Sequence, residues 1–151
     1  MKIKHILLCG WCITSACSNP QKDQAEKLEK EVMMIHDAVM PKMGELISLE
    51  SAISKRIAQL DSITQSTPTD SLSHSLLKNA LLLSNQLKKA DDGMMDWMHR
   101  YKGDSLKKLA PEEAIKALTQ EKIKIEQVSD DMLKSMEDAQ KYLSNKAKVL
   151  E

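Results

Sequence analysis

The chain has 151 residues with 22 basic and 22 acidic side chains, so it carries no net charge at neutral pH. No basic excess is available to hold nucleic acid or an anionic bilayer. The absence of phenylalanine and the presence of only four glycines argue against a sheet protein, whereas abundant Leu, Lys, Glu, Ala and Met argue for long helices.

The first element is not a domain. Lys2 and Lys4 precede a short apolar run from Ile6 to Ile13, and Thr14-Ser15-Ala16 lead into Cys17. A positive start, a short apolar core and small residues before a cut form a secretory signal. Cysteine at the cut makes it a lipoprotein-type signal, expected to span residues 1–16, with Cys17 as the lipidation site. Ala16 and Ser15 fit the bacterial lipobox, while Thr14 departs from its usual leucine. The apolar run is far shorter than the ~20 residues of a spanning helix. All three cysteines lie in residues 1–17, so the chain after the cut has no other thiol for a disulfide, a thiolate metal site or cysteine catalysis. The expected mature chain has 20 basic and 22 acidic residues, a charge of −2. Its expected location is the cell envelope, with a membrane contact through the lipid on Cys17.

Residues 17–22, containing Pro20, read as a polar tether. From Asp23 a helical period begins: Leu28, Val32, Ile35, Val39, Met43, Leu46, Leu49, Ile53, Ile57 and Leu60 follow by threes and fours. Pro41 removes a backbone donor within this stripe, so the spacing predicts a kink there. Residues 64–69, with Pro68, read as a turn, and Asp70 as an N-cap. The second stripe is Leu76, Ala80, Leu83, Leu87, Ala90, Met94, Trp97 and Tyr101. Lys102-Gly103-Asp104 ends it, and residues 104–110 form a loop or short turn. Pro111 suits a first helical position, followed by Glu112 and Glu113. The third stripe is Leu118, Ile125, Val128, Met132, Met136, Ala139, Leu143 and Leu150. The expected fold is therefore all-α. Residues 23–151 should form an elongated antiparallel three-helix bundle, coiled-coil-like, with helices ~45–60 Å long. The heptad spacing permits a homo-oligomer without requiring one.

Seven of the nine methionines beyond the signal fall in two short stretches: Met33, Met34, Met40 and Met43, then Met94, Met95 and Met98. At ~100° per residue, Met33, His36, Met40 and Met43 share one arc, and Met94, Trp97, Met98 and Tyr101 share another. If the turn near 64–69 closes a hairpin, Met33 faces Trp97, His36 faces Met94, and Met40 faces Ala90. Thioethers with an imidazole suit Cu(I) or Ag(I). Met33, His36, Met40, Met43, Met94 and Met98 are thus candidate ligands, with Trp97 placed for a cation–π contact. Methionine is also an adaptable core filler, and a stripe at helical spacing is more often core. No cofactor is expected on that reading. No nucleophile motif, phosphate loop, calcium loop or Glu-x-x-His pair occurs, so no enzyme is expected.

The segments Ile35-His36-Asp37-Ala38-Val39-Met40-Pro41-Lys42-Met43-Gly44-Glu45 and Met94-Met95-Asp96-Trp97-Met98-His99 resemble a group of small Bacteroidota lipoproteins often labelled "viral A-type inclusion protein". The resemblance covers most of the mature chain. It implies a didermal host and an envelope location, and it brings neither a viral function nor catalytic residues. Ser18-Asn19-Pro20-Gln21-Lys22-Asp23 does not match the acidic surface-export signal of some lipoproteins in that group. The expectation is an outer-membrane lipoprotein facing the periplasm, acting as a scaffold or binding an envelope protein partner. The alternative is a Cu(I)/Ag(I) chaperone or sensor.

Overall fold

The computed structural model describes residues 19–147, with side chains described to 145. The signal segment 1–16, Cys17 and Leu150 lie outside the described residues. Among those described the chain is all-α, without a strand. The elements are α1 (Pro20–Val39), a 3₁₀ turn (Met40–Lys42), α2 (Met43–Ser66), α3 (Ser71–Arg100), α4 (Gly103–Leu106) and α5 (Pro111–Ala147). No helix among them is long and apolar enough to cross a membrane.

The helix starts follow local chemistry. Asn19 caps α1, its side chain accepting from the Gln21 amide at 3.1 Å, with Pro20 at the first helical position. Residues 20–22 are therefore helix and not tether: proline lacks only a donor that the first turn leaves unpaired, and its φ is already helical. Asp70 caps α3 by accepting from the Leu72 amide at 3.1 Å and from the Ser73 hydroxyl. The turn before it is shorter than residues 64–69. α2 runs on through Ser66, and the Thr64 hydroxyl donates back to the Asp61 carbonyl at 2.9 Å within the helix.

Pro41 produces one turn of 3₁₀ helix, and the chain continues in register through it. The buried apolar positions of this limb are Ala25, Val32, Val39, Leu46, Ile53 and Leu60, seven residues apart throughout. A straight α-helix drifts ~20° per heptad, or ~100° over this span. Three residues of 3₁₀ helix at 3.0 per turn overwind by ~60° and restore most of that phase. The imino acid thus keeps Val39 and Leu46 on one seam.

Cross-links set the directions of the limbs. Lys122 Nζ donates to Glu31 Oε2 at 2.6 Å, and Gln140 Nε2 donates to Glu45 Oε1 at 2.6 Å, so α1–α2 and α5 run the same way. α3 runs oppositely: the Tyr142 hydroxyl donates to the Leu76 carbonyl at 2.8 Å, and Gly93 lies against Val128. The main core gathers Val32, Val39, Leu46, Ile53, Leu87, Met94, Ile125 and Met132 from all three limbs. Smaller clusters close the ends: Leu60, Leu76 and Ala80 beside the α2–α3 turn, and Ala25, Ala114 and Leu118 at the start of α1.

Candidate functional site

The stripes of α1 and α3 bring the two methionine-rich stretches onto the same core. Val32 and Val39 are buried, and the 3.6-residue period carries His36 and Met40 to the same side. On α3, Met94 is fully buried and Trp97 is 6% exposed. Met40, Met43 and Met98 pack partly buried against that cluster. Met33 is half-buried, and Met34 and Met95 are exposed.

The register differs from the expected pairing. His36 lies against Trp97, with ring centroids 5.5 Å apart and planes tilted by 33°. The expected partner, Met94, is one turn away. The facing register is thus three residues further along α3 than expected. Trp97 in turn stacks on Tyr101 at 4.8 Å and 21°. Three rings therefore form a run from α1 into the C-terminal end of α3. His36 Nδ1 lies 2.9 Å from Asp37 Oδ1. That contact occupies one ring nitrogen and leaves Nε2 as the atom available to a soft cation.

Two polar atoms in this run are buried without a hydrogen-bond partner among the described residues: Trp97 Nε1 and the Tyr101 hydroxyl. Burial, and next the nearby Glu29 and Glu121, push the Tyr101 phenol above its ordinary value. Around it α1 is tied to its neighbours by ion pairs. Lys107 Nζ lies 3.0 Å from Glu29 Oε1, and Lys122 Nζ contacts Glu31. The Lys122 hydrogen bond holds the Glu31 carboxyl below the usual range against its own desolvation, and the same contact raises Lys122. Both side chains keep about a third of their surface in water, so the pair orients more than it stabilises.

The remaining histidines make local contacts. His99 Nδ1 is 2.7 Å from the Met95 carbonyl, and His74 Nε2 is 3.1 Å from the Pro68 carbonyl. Among the described residues no group of three or more His, Cys, Asp or Glu side chains is placed to hold one metal ion. The arrangement therefore offers soft thioethers, one imidazole nitrogen and stacked rings. Sequence patterning located the methionine stretches but missed the inclusion of Tyr101 in the ring run and the ion pairs of α1 with Lys107 and Lys122. The former was present as the last position of the α3 stripe. The latter join residues some 80–90 apart, for which one sequence carries no signal.

No protein-family model, curated protein or solved structure matches this chain.

Proposed function

We propose that this chain is a non-enzymatic envelope lipoprotein, held at the outer membrane by lipid on Cys17 and serving as a scaffold or protein-interaction module. Its described part is read as an elongated antiparallel three-helix bundle with a coiled-coil-like seam, supported by the heptad spacing of Val32, Val39, Leu46 and Ile53 and by the alternating limb directions. The observation that carries the functional reading is the use made of the most chemically distinctive residues. Met94 and Trp97 are core, continuous with Val32, Leu87 and Ile125, which is what methionine does as a filler in a protein without phenylalanine. The signal at residues 1–17 and the resemblance to small Bacteroidota lipoproteins support the location.

The test is metabolic labelling of the full chain with an alkyne-bearing palmitate in a didermal bacterium, followed by membrane fractionation. Label and membrane association in the wild type, both lost in Cys17→Ser, support the reading. A soluble, unlabelled chain overturns it.

The meeting of His36 with Trp97 favours one second reading, a Cu(I) or Ag(I) chaperone or sensor using His36 Nε2 with thioethers of Met40, Met94 and Met98. An anaerobic Cu(I) titration of residues 18–151 against a competing chelator, read by Trp97 fluorescence, separates the two. Stoichiometric binding tighter than about a micromolar, lost in His36→Ala with Met94→Leu while helicity is kept, establishes the metal reading. No competition and no change at Trp97 removes it.

A further inference from the structure

The end of the molecule that carries the N-terminus is built more thinly than the middle. Where the main core has Val32 and Ile125, the corresponding end cluster has Ala25 and Ala114, completed by Leu118. Small side chains there leave a groove of about 620 Å³ between the first turns of α1, the segment around α4 and the start of α5. That is within the range of ~300–1,000 Å³ typical of sites that enclose a small ligand. Its apolar lining is Ala25, Leu106, Leu109, Pro111, Ala114 and Leu118, and Lys22, Lys30 and Lys107 stand among the polar residues at its edge. Leu109 keeps 39% of its surface exposed at the lip, so the lining is not fully used by the fold.

The place of the groove names its occupant. Cys17 precedes the first helical residue, Pro20, by three positions, and a chain of that length reaches at most ~10 Å. Lys22, on the first turn of α1, already lines the groove, and Ala25 lies only ~7–8 Å along the helix from Pro20. A group attached to Cys17 is therefore tethered within a short reach of the first turn of α1, whose Lys22 lines the groove. We propose that, when the protein is off the bilayer, one acyl chain of the lipid on Cys17 folds back into this groove, lying on Ala25, Leu106, Leu109 and Ala114. This inference rests on the lipidation reading above. It gives α4, whose Leu106 packs on the Ala25–Ala114–Leu118 cluster, the added task of shielding the chain's own anchor from water.

The experiment uses the full chain, expressed in a didermal bacterium fed a diazirine-bearing palmitate, purified in detergent, and irradiated after dilution below the micelle concentration. Peptide mapping should place the crosslinks within residues 22–30 and 106–118 of the same molecule. Leu109→Asp, an exposed position whose change leaves the core intact, should lose them by putting a carboxylate on the acyl path. Crosslinks spread along α2 and α3, or unaffected by Leu109→Asp, overturn the inference while leaving lipidation standing. Crosslinks to a second molecule assign the groove to another copy and likewise overturn it. Failure to incorporate the label, or incorporation retained in Cys17→Ser, overturns the lipidation reading and this inference with it.

Discussion

The two tyrosines sit at opposite ends of the molecule and show how differently those ends are built. Tyr142 belongs to the hairpin end. Its ring packs on Leu60, Leu76 and Ala80, and its hydroxyl donates to the Leu76 carbonyl at 2.8 Å. Tyr101 belongs to the end nearer the N-terminus. Its ring stacks on Trp97, and its hydroxyl is buried without a partner among the described residues, as is Trp97 Nε1. Burial is the leading cause that raises both phenols, but Arg56 opposes it at Tyr142, whereas Glu29 and Glu121 add to it at Tyr101. One end satisfies its tyrosine hydroxyl. The other stacks rings, leaves donors unpaired, joins its limbs by ion pairs and opens a groove. The candidate ligands His36, Met94 and Met98 lie with Trp97 and Tyr101, away from the Leu60–Leu76 cluster.

Five substitutions break or sharpen that contrast. The largest effect is expected from Trp97→Ala, which empties the middle of the ring run and should cost about 3–5 kcal/mol in denaturant unfolding. A loss under about 1 kcal/mol would mean that the rings contribute little to the core. At the opposite end, Asp70→Ala removes the cap of α3 and should cost about 0.5–2 kcal/mol, read from thermal melts. An unchanged melting temperature would show that the α2–α3 turn holds without its cap.

The two tyrosines give the most discriminating pair. Tyr142→Phe removes a made hydrogen bond and should cost about 0.5–1.5 kcal/mol, whereas Tyr101→Phe removes a buried hydroxyl that has no partner and should be neutral or stabilising. Equal losses in urea melts would erase the difference between the two ends.

The smallest effect is electrostatic. The Glu31 carboxyl is held below its ordinary value of 4.5 by Lys122. Its contribution is therefore present above that value and is lost as pH falls through the lower folded one. Glu31→Gln should melt earlier than wild type at pH 7, and the two should converge toward pH 2–3. A difference that stays constant across that range would assign the effect to packing and not to charge.

The stripes made much of this legible beforehand. Leu76, Ala80, Leu83, Leu87, Ala90, Met94 and Trp97 were each expected on one face and are each buried. Asp70 and Pro111 mark their helix starts because capping and proline geometry act within a turn of chain. Asn19 and Pro20 carried the same kind of signal, and reading them as tether gave too little weight to a proline at the first helical position. His36 faces a residue three positions further along α3 than expected, because the register of two long helices is set by how their side chains pack and not by the turn alone.

Periodicity, caps and composition by themselves determined that this chain is helical, where α3 and α5 start, and which face of each long helix is apolar. These are local properties, decided by residues three, four or seven apart. Tertiary structure alone decided what those faces meet. It set His36 on Trp97, paired Lys122 with Glu31, left the Tyr101 hydroxyl without a partner among the described residues, and opened a groove where Ala25 and Ala114 are too small to fill the space between α1 and α5. It also gave Pro41 its role. A proline in a long apolar stripe announces an interruption. Only the packed core shows that one overwound turn there keeps Val39 and Leu46 on the same seam, because phase along a helix matters only against a partner that must be met at both ends.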